Sequence, residues 1–149
     1  VFWRFKGAET SVTVAASITT SARSYATTII AYEGSTANAI TPIAASANGY
    51  TLAAGTNQVA PTVSSLVADS ELLLLGSSLR AAATAITNSW GSGAVEVSDN
   101  TETVGSLTYS QSTARKELPA AGATGTHTLT YATGTVVQRF AASLIIAPP

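Results

Sequence analysis

Apolar and polar residues alternate along most of this chain, and that period of two limits the folds open to it. Alternation sends successive side chains to opposite faces of an extended strand, so that one face packs on a core and the other meets water. The clearest examples are SVTVAASI (11–18), AVEVSD (94–99), SLTYSQST (106–113) and HTLTYA (127–132). We therefore predict an all-β fold, an antiparallel β-sandwich of jelly-roll-like type.

Three stretches are apolar almost without interruption, which is typical of central strands covered on both faces. They are SYATTIIAYEG (24–34), ELLLLGS (71–77) and FAASLIIAPP (140–149). Glycine, proline and asparagine punctuate the chain at short intervals and mark turns. The pattern predicts about nine strands: 1–6, 10–18, 24–33, 41–46, 58–65, 70–77, 94–98, 104–117 and 126–147.

Two stretches of the chain do not fit a single regular strand. The last span is long enough to be a hairpin that turns near Thr133 and Gly134. The stretch SLRAAATAITNSW (78–90) contains an alanine run with helix propensity, diluted by threonine and isoleucine. It is consistent with either a short helix or an irregular crossover.

Length and composition define the class of protein. The 149 residues predict a single domain spanning 1–149, large enough to fold without disulfides or metals. The chain has no cysteine, which excludes disulfide scaffolds, thiol catalysis and thiolate metal sites. Charged residues make up only 10%, with a net charge of -1, so no basic field exists for nucleic acid or an anionic membrane surface. Weak charge repulsion between copies favours association, and we expect a homo-oligomer.

The residues that usually carry catalysis are sparse. His127 is the only histidine, and on an alternating strand it is better interpreted as a strand-surface or edge residue than as a base or metal ligand. Asp99, Asn100 and Glu102 are candidate Ca²⁺ ligands, although a solvated hairpin turn explains SDNTET (98–103) better. No nucleophile elbow or phosphate-binding loop is present. We predict no enzyme activity, no catalytic residues, no cofactor and no metal.

Large aromatic residues mark a candidate interface. The chain opens VFWRFKG, with Val1, Trp3 and Phe5 on one face of a predicted strand and Arg4 on the other. Trp90 precedes the flexible sequence Gly-Ser-Gly and is the aromatic residue that we most expect to be exposed. We predict these five residues as interface residues. The first strand would then lie beside residues outside this chain, or beside the closing strand near 144–147.

The order of these pieces resembles a β-sandwich domain found in structural proteins of tailed-bacteriophage virions. The segments that carry the resemblance are VFWRFKGAET (1–10), SARSYATTIIAYEG (21–34), TPI (41–43), QVAPTVSSLVADSELLLLGSS (58–78), the Trp90–Gly91 loop, AAGATGTHTLTYA (120–132) and AASLIIAPP (141–149). Members of that family carry one or two strands before the aromatic strand, so the resemblance implies strands upstream of Val1. It also implies a capsid-decoration, head-fibre or tail-appendage subunit located in the virion, with other virion proteins as partners.

Two functions from different classes remain open. The first is a non-enzymatic virion structural protein that acts by packing against other subunits. The alternative is a carbohydrate-binding β-sandwich module on a virion or a secreted protein, with a surface glycan as partner. A structural subunit should bury its large apolar residues against other chains. A carbohydrate-binding module should instead show a solvent-open groove with aromatic and amide side chains.

Overall fold

A computed structural model describes residues 43–132 and 134–148 of the chain. Within these residues it contains ten β-strands and no helix, so the predicted all-β, antiparallel character is confirmed. The strands are β1 (Ile43–Thr51), β2 (Asn57–Ala60), β3 (Ser64–Ser65), β4 (Ser70–Arg80), β5 (Asn88–Trp90), β6 (Val95–Val104), β7 (Leu107–Leu118), β8 (Gly122–Ala123), β9 (His127–Tyr131) and β10 (Gln138–Ile146).

The largest sheet has five antiparallel strands in the order β1-β10-β4-β7-β6. The leucine-rich strand β4 lies at its centre, with β10 beside it, as the continuous apolar runs predict. Leu72, Leu73 and Leu74 are consecutive and all buried. Because successive side chains of a strand point to opposite faces, both faces of the sheet are covered at this point.

A second sheet, in the order β2-β9-β5, packs against one face of the first, which we call the inner face. Ala60 of β2 joins Leu72 and Leu74 of β4 in the main apolar cluster. Leu129 of β9 lies directly over Gly76, where the missing side chain makes room for it. A two-stranded sheet of β3 and β8 completes the described fold. The opposite side of the five-stranded sheet is called the outer face below.

Several strand predictions are confirmed with shifted ends. The span 58–65 is two strands, β2 and β3, because Pro61 lies between them and cannot donate to a ladder. The ambiguous stretch 78–90 contains no helix. Its first residues finish β4, residues 81–87 form an irregular crossover, and β5 follows.

Two predictions are wrong. The span 126–147 is not a hairpin, because β9 lies in the three-stranded sheet and β10 in the five-stranded one. SDNTET is not a turn either; these residues continue β6, and the turn to β7 falls at Gly105 and Ser106. Gly105 adopts a φ of 62°, a left-handed conformation that glycine reaches without steric cost. Nearly all of β6 is exposed, so the apolar alternation of its first residues gives way to a run of polar residues from Ser98 to Thr103.

Candidate functional site

The outer face of the five-stranded sheet carries the main candidate site. Its residues follow from the ladder register, because residues directly opposite each other on antiparallel strands point to the same face. Toward one end of the sheet this face is apolar, with a buried cluster of Leu73, Ala142 and Leu144. Toward the other end it becomes aromatic and polar.

At the polar end, the outer face opens into a groove with a volume of about 220 Å³. Four strands, β1, β4, β7 and β10, contribute to its walls and floor. The lining residues are Tyr50, Ser77, Ser78, Leu79, Tyr109, Ser110, Gln111, Gln138, Arg139 and Phe140. The site therefore combines three aromatic rings with amide and hydroxyl groups.

Two cross-strand rows define the shape of this groove. In the first row Tyr50 pairs with Phe140, Phe140 with Ser77, and Ser77 with Gln111. Ser77 is the smallest of the four, and it lies between larger neighbours on both sides.

The second row is Gln138, Leu79 and Tyr109, adjacent to the first along the strands. Tyr50 is 58% exposed, and Gln138 is also exposed. One aromatic ring and one amide group of the groove are therefore open to solvent, whereas Phe140, Tyr109 and Gln111 are half-buried.

The floor of the groove is supported from the inner side. The buried Tyr131 hydroxyl lies 3.5 Å from the Ser77 carbonyl oxygen. Burial raises the pKa of Tyr131, and the nearby positive charge of Arg139 only partly opposes this. Tyr131 therefore remains a neutral phenol that supports β4 from below.

Arg139 is the one cation among the lining residues, and its side chain is hydrogen-bonded to backbone carbonyl groups. Its guanidinium donates to the carbonyl oxygen of Ala53 at 3.0 Å and to that of Asn57. A side chain at Gly55 would overlap this guanidinium, so glycine at that position lets the arginine lie against the loop. The charge of Arg139 is thus used to hold the loop between β1 and β2.

His127 does not lie on the surface, and the prediction of a strand-surface or edge position is wrong. It is 0% exposed, on the middle strand of the three-stranded sheet, with its side chain in the row that faces the five-stranded sheet. Neither ring nitrogen has a hydrogen-bond partner among the described residues.

The candidate Ca²⁺ ligands do not converge. Asp99 faces the inner side, where it accepts hydrogen bonds from Asn88 through the backbone N–H, at 3.1 Å, and through the side-chain amide. Asn100 and Glu102 pair with outer-face residues of β7 and point the other way. No group of three potential metal ligands occurs in residues 43–132 and 134–148.

The predicted interface residues fall in two places. Trp90 is partly buried at the end of β5, where it packs against both inner clusters and its indole N–H donates to the Ser112 hydroxyl at 2.9 Å. Val1, Trp3, Arg4 and Phe5 lie outside the described residues. Within the large sheet, β10 already has a neighbour on each side, so its span Gln138–Ile146 has no free edge for the first strand.

Exposed apolar side chains concentrate in two other regions. On β6, the described edge strand beside β7, Val95, Val97 and Val104 are 61%, 55% and 54% exposed. In the β3–β4 loop Leu66 is 86% exposed.

That loop is held in place by two serines. The hydroxyls of Ser65 and Ser70 lie 2.9 Å apart, and both contact the Val67 carbonyl oxygen, at 2.6 and 3.0 Å. Leu66 is therefore presented to solvent by an internally hydrogen-bonded loop rather than by an unsupported one.

Comparisons with family models, curated proteins and solved structures found no match to this chain. Among the described residues, no helix is long and apolar enough to cross a membrane. The assignment of a function therefore rests on the geometry above and on the resemblance noted from the sequence.

Sequence reasoning missed the groove. Its residues are spread over four strands, and their convergence depends on the pairing register, which a single sequence does not specify. The available signal was the occurrence of aromatic and amide residues at alternate positions, as at Tyr109 and Gln111 or Gln138 and Phe140.

Proposed function

We propose that this chain is a non-enzymatic structural subunit of a bacteriophage virion, a decoration, fibre or tail-appendage protein. Its sheets would form a β-sandwich of jelly-roll type that works by packing against neighbouring subunits. The observation that carries this proposal is β6, an edge strand among the described residues, with its three exposed valines.

An exposed edge strand is a natural place for association. Its outward N–H and C=O groups can pair with a strand of another chain, and this geometry gives affinity through main-chain hydrogen bonds. β6 is ten residues long, which is enough for an extended ladder. Apolar side chains at Val95 and Val104 place hydrophobic contacts near both ends of that ladder.

The charge on β6 favours an unlike partner surface. Glu96, Asp99 and Glu102 all lie on this strand, and Asp99 is already bonded to Asn88. Two β6 strands side by side would bring carboxylates together, which is unfavourable. A partner surface that supplies lysine or arginine, on another virion protein or on a different face of a second copy, fits better.

The test is sedimentation velocity of the full chain over a range of protein concentrations. We expect concentration-dependent association that the double variant Val95→Lys, Val104→Lys abolishes, because lysine on an edge strand opposes strand addition. Leu52→Lys is the control, since Leu52 is exposed but lies outside β6. A wild-type chain that remains monomeric at every concentration would contradict self-association.

Electron microscopy of the associated fraction tests the virion role. A decoration or fibre subunit should form rings, caps or filaments of defined size, because repeated contacts between identical subunits close or propagate regularly. Amorphous aggregates that are likewise abolished by the Val95→Lys, Val104→Lys double variant would indicate non-specific association through β6 without an assembly function.

A second candidate function, a carbohydrate-binding module, is favoured by a different observation. The outer-face groove is open to solvent and lined by aromatic and amide side chains, the arrangement that distinguishes a sugar-binding surface from a purely structural one. The two functions are compatible on one molecule, because the groove is lined by residues of β1, β10, β4 and β7, whereas β6 would associate through the backbone edge that points away from β7.

A further inference from the structure

We propose that the outer-face groove binds one neutral sugar ring, with Tyr109 and Phe140 as its walls and Gln138 at its rim. This inference rests on the second of the functions proposed above. It assigns the ligand class and the residues that recognise it.

The width of the groove suits a single ring. Neighbouring strands lie about 4.8 Å apart, so Phe140 and Gln111, on the two strands that flank Ser77, are separated by roughly 10 Å. The short Ser77 side chain between them leaves the space open. At about 220 Å³, the groove is smaller than the ~300–1,000 Å³ of pockets that hold drug-sized molecules.

The chemistry of the walls matches the two kinds of surface that a pyranose presents. A sugar ring has an apolar face of C–H groups, which packs on aromatic faces such as those of Phe140 and Tyr109. Its rim of hydroxyls both donates and accepts hydrogen bonds. The Gln138 amide and the tyrosine hydroxyls also do both, so they can satisfy that rim in several orientations.

The charge of the groove excludes other ligand classes. No carboxylate lines it, and the guanidinium of Arg139 is held by the carbonyls of Ala53 and Asn57. A nucleic acid strand would need a positively charged track for its phosphates. An acidic sugar would likewise need a cation. A neutral ligand needs no positive charge in the groove.

An extended peptide is also a poor fit. Peptides that join a sheet use its free edge, whereas the groove lies over β10, β4 and β7, whose backbone groups already pair with each other. Recognition must therefore come from side chains that project from the face. Aromatic, amide and hydroxyl groups are the ones available there.

The experiment is saturation-transfer NMR on the full chain with the methyl glycosides of glucose, galactose, mannose and N-acetylglucosamine. N-acetylneuraminic acid serves as the anionic comparison. We expect at least one neutral glycoside to bind with a Kd on the order of 1 mM, as for a ligand of so few atoms. The anionic sugar should not bind.

Three variants locate the site. Tyr109→Ala and Gln138→Ala each remove a wall or rim group, and Ser77→Leu fills the floor while leaving every wall residue in place. We expect each to weaken binding about tenfold or more, as for loss of a specific contact. Leu52→Ala, at an exposed position outside the groove, should leave binding unchanged. Circular dichroism and thermal melting confirm that each variant is folded.

The outcomes separate the site from the function. If no neutral glycoside binds the wild-type chain, both this assignment and the carbohydrate-binding function are overturned. If a glycoside binds and all folded groove variants retain its affinity, the module binds sugar elsewhere and only the groove assignment fails. Tight binding of the anionic sugar would overturn the choice of a neutral ligand.

Discussion

Strands β4 and β6 belong to the same sheet, are of similar length and face opposite physical demands. β4 lies between two neighbours and buries consecutive leucines on both of its faces. Among the described strands β6 has only β7 as a neighbour, and nine of its ten residues are exposed while the tenth is half-buried. β4 therefore contributes to the apolar core, whereas β6 contributes mainly to the solvent-exposed surface.

The difference between β4 and β6 indicates which strand contributes more to the free energy of unfolding. Only 10% of the residues are charged, so we expect the apolar burial of β4 and its neighbours to contribute most of the favourable free energy of folding. β6 can then be polar, exposed and available for partners. Substitutions in the two strands should therefore have effects of very different size.

The largest effect is expected from the core of β4. Leu74 is 0% exposed within the main cluster, so Leu74→Ala should lower the free energy of unfolding by about 2–5 kcal/mol. Val97→Ala on β6 removes an exposed side chain and should change it by less than about 0.5 kcal/mol. Urea denaturation of both variants measures the contrast. Equal losses would show that β6 is packed rather than exposed.

A smaller loss is expected where β4 makes room for the second sheet. A Cβ at Gly76 would overlap Leu129 Cδ2 and lie 3.0 Å from Trp90 Cζ2. Gly76→Ala should therefore destabilise the protein by about 1–3 kcal/mol through overpacking. Gly91→Ala is the matched control, because its Cβ would meet only the Thr128 carbonyl oxygen at an ordinary 3.7 Å. Thermal melting of the two variants should separate them clearly.

On β6 the one residue that we expect to matter is Asp99. Asp99→Ala leaves the buried Asn88 without the acceptor for its backbone N–H and should cost about 1–2 kcal/mol. Asn100→Ala, one residue further along and on the outer face, should be nearly neutral. If the two variants are equally stable in urea, the link between β6 and β5 does not contribute to stability.

The smallest effect concerns Glu96. Partial burial raises the pKa of its carboxyl above 4.5, and the negative charge of Asp99 adds to the shift. The folded state therefore holds this proton more tightly than the unfolded state, and the charged form is disfavoured at neutral pH. Glu96→Gln should raise stability by no more than about 0.5 kcal/mol near neutral pH.

The gain from Glu96→Gln should shrink as the pH falls through the raised pKa toward 4.5, because the wild-type carboxyl then becomes neutral too. Glu102→Gln, on the outer face of the same strand, is the control for a general change of charge. The free energy of unfolding of wild type and variant should be measured at neutral pH and at acidic pH. A stability gain that is largest at acidic pH would contradict the expectation.

Sequence reasoning found the strands that are defined by their own pattern. The leucine run of β4 and the apolar end of β10 are predicted at the centre of a sheet, because an uninterrupted apolar strand must be covered on both faces. The predicted strand 94–98 ends before β6 does, because polar residues on an exposed edge resemble a turn in sequence. An apolar sequence pattern predicts a strand because it reflects burial. Where a strand is mostly exposed, the pattern is weak and the ends of the strand are hard to predict.

Long-range pairing escaped the same reasoning. The chain leaves β9 and enters the other sheet at β10, whereas closeness in sequence favours a hairpin. The buried position of His127 and the groove at Ser77 both depend on which strands meet and in which register. Strand pairing and register are determined by packing between the sheets, and a short window of sequence does not predict them.

The position of β10 also bears on how the chain is made. It is the last of the ten described strands to leave the ribosome, yet it occupies the slot between β1 and β4. Until it arrives, β1 has no partner among the described strands, and the leucine-rich β4 lacks its neighbour on one side. Folding must then wait for a contact between residues as distant as Ile43 and Ile146, which is slow for such non-local topologies. We expect the nascent chain to need protection from aggregation during that interval.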